Sequence, residues 1–95
     1  MEFDHVRFSG HALRRRIERE IREDDVLGAI RDGEAIAEYA DDSPLPSVSM
    51  LYFRNGQPLH VLVAKEESTG ACLVVTVYRP DPESWTADFR NRKNP

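Results

Sequence analysis

Two histidines and a run of arginines carry the chemistry this sequence can offer. His11 opens the segment His-Ala-Leu-Arg-Arg-Arg-Ile-Glu-Arg-Glu-Ile, in which Arg15 and Arg19 follow at four-residue steps. His60 lies in the apolar run Gln-Pro-Leu-His-Val-Leu-Val, just after Asn55-Gly56. Imidazole can take or give a proton near neutral pH, and guanidinium holds phosphate oxygens bidentately. RNA cleavage by its own 2′-hydroxyl needs those services: one group takes a proton, another returns one, and positive charge meets the phosphorane. Such chemistry requires no metal. His5, His11 and His60 have no cysteines at ligand spacing, and no Gly-rich phosphate loop occurs, so neither a metal nor a cofactor is expected.

Each of these residues also has a plainer role open to it. His11 could hydrogen-bond a backbone carbonyl and fix the start of a helix. Arg15 and Arg19 could form exposed ion pairs with Glu18, Glu23 or the acidic loop, which contribute little. His60, between Leu59 and Val61, could be a satisfied core histidine. Thr76 and Tyr78 share one face of the last strand, where the phenol could donate to a phosphate or simply close the sheet end. Arg90, Arg92 and Lys93 could track an RNA backbone, and Trp85 reads as a core anchor.

The elements that must position these groups can be read from periodicity. Ser9 is a plausible N-cap for a helix running to about Ile21. At 100° per residue Leu13, Ile17 and Ile21 form an apolar stripe, with His11, Arg15, Arg19 and Arg22 on roughly the opposite side. Asp24 or Asp25 caps a second helix with Val26, Leu27 and Ile30 inward, and Gly33 ends it in a left-handed conformation. Glu34 to Tyr39 reads as a strand, residues 40–47 as a loop, and Val48 to Arg54 as a strand. Asn55-Gly56 is the strongest hairpin signal, since both positions can take positive φ at little cost. A two-residue loop pairs Arg54 with Gln57 and sets Leu51 opposite His60. Residues 65–70 make a turn, Ala71 to Tyr78 the last strand, and Arg79-Pro80-Asp81-Pro82 breaks it. Phe3 to Phe8 alternates closely enough for a short edge strand, and residues 91–95 are expected to fray. The predicted architecture is α+β: two N-terminal helices packed on a four-stranded antiparallel sheet.

Composition bounds the rest. Ninety-five residues, 40% apolar and 32% charged, suit a single domain over residues 1–95, with 1–8 and 90–95 peripheral. The lone Cys72 excludes an internal disulfide and reads as a small buried hydrophobe. No apolar run reaches the ~20 residues needed to cross a bilayer, and no secretory signal opens the chain, so a cytoplasmic location is expected. The net charge of −4 argues against a general nucleic-acid binder. Its distribution is uneven: residues 14–22 hold five arginines, and residues 23–42 hold eight acids against Arg31 alone. A fold could gather the basic segments on one face, or both could be ordinary solvated surface.

The order His11-Ala12, Arg15, Arg19, Ile21, Asp25-Val26, Gly33-Glu34, Tyr39, Pro58-Leu59-His60-Val61, Thr76-Val77-Tyr78, Pro80-Asp81 and Trp85 resembles the bacterial family called domain of unknown function 4258. The likeness spans about Phe8 to Trp85. It implies the RelE-like fold, shared with barnase- and colicin-type nucleases. It also implies an mRNA-interferase-like toxin of a type II toxin–antitoxin system, with RNA as substrate and a zinc-ribbon antitoxin as partner. On that reading His11 transfers a proton, Arg15 clamps a phosphate, and His60 or Tyr78 is the second proton-transfer group. Arg15, Arg19, Arg90, Arg92 and Lys93 would bind RNA. The alternative is a catalytically inactive protein-binding module using a sheet edge or the acidic segment 34–42. Two residues depart from the family pattern: Arg16 stands where an apolar residue is usual, and Glu20 replaces a common glycine.

Overall fold

Seven elements follow one another in the computed structural model, which describes residues 1, 3–42, 45–66 and 68–93. They are β1 (His5–Phe8), α1 (Gly10–Glu18), α2 (Glu23–Asp32), β2 (Glu34–Tyr39), β3 (Ser47–Arg54), β4 (Gln57–Glu66) and β5 (Ala71–Tyr78). The strands form one five-stranded sheet in the order β1-β5-β4-β3-β2. The meander β2–β5 is antiparallel, whereas β1 runs parallel to β5 with His5 opposite Ala71 and Phe8 opposite Val74. The sheet is therefore mixed, and the four-stranded antiparallel expectation is corrected. Hairpin turns announce antiparallel neighbours locally, but β1 joins a strand from the far end of the chain, and no turn signals that pairing.

The hairpin follows its turn chemistry. Asn55 and Gly56 both take positive φ (51° and 79°), and Arg54 pairs with Gln57 and Leu51 with His60. Alternation from that register sends Met50, Leu59, Val61 and Val63 to the face the helices cover. There they join Val26, Ala29, Ile30, Cys72, Val74 and Val77 in the core. His60, Leu62, Thr76 and Tyr78 occupy the opposite face. A bulge in β5 makes this possible: Leu62 pairs with Thr76 but Val63 pairs with Val74, leaving Val75 as the extra residue. The β5 residues in the core accordingly run Cys72, Val74, Val77, and the break in period two turns Thr76 and Tyr78 away from it.

Helix α1 differs from the periodic reading. Leu13 and Ile17 are 42% and 62% exposed, while Ala12 is fully buried. The helix presents its narrow Ala12 side to the sheet, which brings the backbones close enough for polar side chains on α1 to reach β5. Arg16 fills the inward position one turn on. Its guanidinium lies 5.5 Å from the Phe8 ring centre and donates to the Ile21 carbonyl (3.3 Å), and its buried Nε has no partner among the described residues. The helix ends at Glu18 rather than Ile21, in a paired closure of the Schellman kind. Glu20 N–H donates to Ile17 O and Ile21 N–H to Arg16 O, with Glu20 at φ 53°.

Helix α2 starts after Arg22 with no side-chain cap, and Glu23, Asp24 and Asp25 fill its first turn, where the helix dipole favours acids. Asp25 does not cap; its carboxylate pairs with Arg54 at 2.8 Å. Gly33 is extended (φ −72°, ψ 170°), not left-handed. Glycine is required there because a Cβ would collide with the carbonyl oxygens of Ala29 and Leu51. Strand β4 continues to Glu66, two residues into the expected turn, of which residue 67 lies outside the described residues. Residues 43 and 44 of the expected 40–47 loop also lie outside them.

After β5, residues 80–93 fold back as a strap over the face bearing His60. Asp81 starts it by accepting from the backbone N–H groups of Glu83, Ser84 and Trp85. Of the segment expected to fray, residues 91–93 are paired: Thr86 N–H donates to Asn91 O, Lys93 N–H to Ser84 O, and Trp85 bridges Arg92. Residues 94 and 95 lie outside the described residues. Among the described residues no helix is long and apolar enough to cross a membrane.

Candidate functional site: a basic cleft at the edge of β5

Strand β1 covers β5 only as far as Val74, and α1 takes over the edge from there. Ser9 makes the junction. Its N–H donates to Val74 O (3.0 Å), its hydroxyl donates to Val75 O at the bulge (3.1 Å), and the same oxygen accepts from Ala12 N–H (3.0 Å). Ten residues later Arg19 Nη1 donates to Val77 O (2.7 Å). Arg79, leaving the end of β5, closes the loop by donating to the Arg19 and Glu20 carbonyls at the end of α1 (2.6 and 3.2 Å). The edge carbonyls of β5 and the carbonyls just past the end of α1 are thus bonded by side chains from across the junction.

This clamp aims the polar side of α1 across the edge onto the far face of the sheet. His11 Nε2 comes within 3.2 Å of Thr76 Oγ1. His11, Arg15, Arg19, Thr76, Tyr78, Arg79, Asp81, Ser84, Trp85 and Arg92 line an open cleft of about 430 Å³. Among the described residues Arg15 is tethered only by an exposed pair with Glu18 (2.8 Å), whose geometry a ligand can readily displace. Arg92 sits over the Trp85 ring at 5.2 Å, a cation–π contact that holds its charge at the rim.

Of the residues singled out by sequence, the structure brings together His11, Arg15, Arg19, Thr76, Tyr78, Trp85 and Arg92. It sets the others apart. His60 is fully buried and has no open path to the cleft. Its Nε2–H donates to Phe89 O (2.9 Å), so Nδ1 is the acceptor of a hydrogen bond donated by the Tyr78 hydroxyl (3.1 Å). Trp85 and Tyr78 stand edge-on to the imidazole, at 4.4 and 5.2 Å between ring centres. Desolvation lowers the His60 pKa from its ordinary 6.5, with the Phe89 carbonyl opposing and Arg92 adding to the shift. Desolvation also raises the Tyr78 pKa. His60 is a neutral support that orients the Tyr78 hydroxyl.

Arg90 forms a bidentate pair with Glu34 (2.6 and 2.8 Å), fastening the strap to the start of β2, and this contact lowers the Glu34 pKa. Lys93 is exposed and carries its backbone bond to Ser84. Arg79, Asp81 and Ser84 were not singled out as site residues. They reach the cleft through the reversal after Pro80, a direction that local sequence does not specify. Among the described residues no group of three or more His, Cys, Asp or Glu could hold a metal ion.

Residues 8–79 match the family described as domain of unknown function (DUF4258). The chain belongs to that family. No curated protein and no solved structure matches it. The DUF4258 match takes in His11, Arg15, Arg19, His60, Thr76, Tyr78 and Arg79, and stops before Asp81, Trp85 and Arg92. The sheet edge, the α1 clamp and the buried His60 thus fall inside the DUF4258 segment, and the strap that completes the cleft lies beyond it.

Proposed function

We propose that the cleft binds an RNA phosphodiester and cleaves it without a metal, using the neighbouring 2′-hydroxyl as nucleophile. The observation that carries this reading is the convergence of His11, Tyr78 and four arginines in one solvent-open cleft of an otherwise acidic chain. In the reaction the 2′-oxygen forms a bond to phosphorus, the bond from phosphorus to the 5′-oxygen breaks, and a 2′,3′-cyclic phosphate and a 5′-hydroxyl result. His11 takes the 2′-hydroxyl proton. Arg15 and Arg92 neutralise the charge that builds on the phosphorane oxygens. Tyr78 is the second polar group, and releases a proton toward the leaving oxygen by giving up its bond to His60. In a cell such an activity would act on mRNA and arrest growth, and a zinc-ribbon partner, which the family resemblance implies, would restrain it.

The test is incubation of purified protein with free and ribosome-bound RNA, with product ends analysed by mass. Cyclic-phosphate ends are expected, and His11→Ala should slow their formation by about 10²–10⁴-fold with an unchanged melting temperature. Intact RNA in both settings ends the proposal. A second reading, an inactive protein-binding module, has one observation in its favour: Leu13 and Ile17 expose an apolar pair one turn apart on α1. Capture of a partner that tolerates both His11→Ala and Arg15→Ala would favour it.

A further inference from the structure

On the same face of the sheet, immediately beside the cleft, lies a second and different hollow. It has a volume of about 230 Å³ and is lined by Tyr39, Asp42, Ser49, Leu62, Thr76 and Tyr78. Thr76 and Tyr78 belong to both spaces and form the low divide between them. The floor follows from strand register. Ser49 pairs with Leu62 and Leu62 with Thr76, a row of small and aliphatic side chains that leaves a flat, shallow surface. Tyr39, at the end of the edge strand β2, is 44% exposed and walls one side, and Tyr78 walls the other. Asp42 stands at the lip, placed by its backbone N–H on Tyr39 O (3.2 Å) and by the Ser47 hydroxyl, which donates to Oδ2.

The two spaces differ in charge, and that decides what each can hold. The cleft is ringed by guanidinium groups and suits phosphate. The second hollow carries a carboxylate with no ion-pair partner among the described residues, and that charge would repel a phosphate. Its size is below the ~300–1,000 Å³ of sites for drug-sized ligands, and its aromatic walls suit one planar ring. We infer that this hollow is a nucleobase pocket selecting guanine beside the phosphate bound in the cleft. Bases splayed from single-stranded RNA stack on aromatic side chains and are read along their hydrogen-bonding edges. Guanine offers two adjacent donors, N1–H and the N2 amino group, to one carboxylate. Adenine and cytosine set an acceptor beside their amino donor, and uracil flanks its single N–H with two carbonyls, so each meets the Asp42 charge with a lone pair.

The inference rests on the phosphodiester reading, and the experiment separates the two. Hexanucleotides containing one ribose, with each base in turn on either side of it, are compared for cleavage rate. The all-deoxy versions, which cannot be cut, are titrated by fluorescence anisotropy. Guanine on one side should exceed the other three bases by roughly tenfold or more in rate and in affinity. Asp42→Asn should abolish that preference, and Tyr39→Ala should weaken all binding roughly fivefold or more. Cleavage with no base preference, or a preference untouched by Asp42→Asn, overturns the guanine pocket and leaves the nuclease standing. Guanine-selective binding without cleavage upholds the pocket and removes the nuclease. Neither binding nor cleavage overturns both.

Discussion

A histidine enclosed by Trp85, Tyr78 and the Phe89 carbonyl is held neutral, because taking a proton would place a charge where water cannot reach. The consequence for stability has a definite sign. Above the ordinary value of 6.5 the ring is neutral in both folded and unfolded chains, and it contributes no slope. Below 6.5 the unfolded chain takes the proton first, so stability falls as the pH drops toward the lowered folded value and levels off beneath it. Denaturant midpoints measured from pH 7.5 down to 5 should show that loss, and His60→Gln, less stable overall, should show a flatter profile. An equal slope in both proteins would place the titration elsewhere. Glu20 offers a second test. It holds the left-handed position that closes α1, at φ 53°, where a Cβ costs about 1–2 kcal/mol. Glu20→Gly should raise stability by up to about 1 kcal/mol after the extra freedom of glycine in the unfolded chain is set against the relief. A lowered midpoint would refute it. The sequence marks both residues, one as a histidine in an apolar run and one as a substitution at a family glycine. It does not reveal that His60 faces inward onto the strap, since that depends on a reversal some twenty residues later.

At the level of elements, local signals and long-range ones separate cleanly. The Asn55-Gly56 hairpin and its register were legible because turn geometry fixes them within a dozen residues. The bulge at Val75 was less so, although the doublet Val74-Val75 ahead of Thr76-Val77-Tyr78 is the trace it leaves. The outward turn of Leu13 and Ile17 ran against the apolar stripe because α1 answers to the unpaired carbonyls of β5 as much as to its own periodicity. The strap makes the strongest element-level prediction. Trp85 is its contact with the imidazole, and Phe89 adds an edge-on contact to Phe53 (6.3 Å) and the carbonyl that fixes the ring. Trp85→Ala should admit water to His60, move its titration up toward 6.5 in an NMR pH series, and lower cleavage by freeing Tyr78 and Arg92. If the His60 resonances titrate as in the parent, the strap does not seal the site.

Across the whole molecule, the decisive feature is how an acidic chain arranges its minority charge. Arg15, Arg19, Arg79 and Arg92 converge on the cleft against Asp81 alone, while Glu23, Asp24 and Asp25 lie in the first turn of α2. A net charge of −4 then need not prevent binding of a polyanion; it disfavours every orientation except the one that presents the cleft. Binding of single-stranded RNA should consequently be local and strongly salt-dependent, with the logarithm of affinity falling by about 0.7 per phosphate contact for each tenfold rise in salt. Arg15→Ala should shrink that slope by roughly one such contact. Arg22→Ala, which removes a residue paired with Asp24 outside the cleft, should leave it unchanged. Equal effects of the two substitutions would mean that RNA meets diffuse positive charge on α1, and the cleft would lose its claim to be the place where phosphate is held.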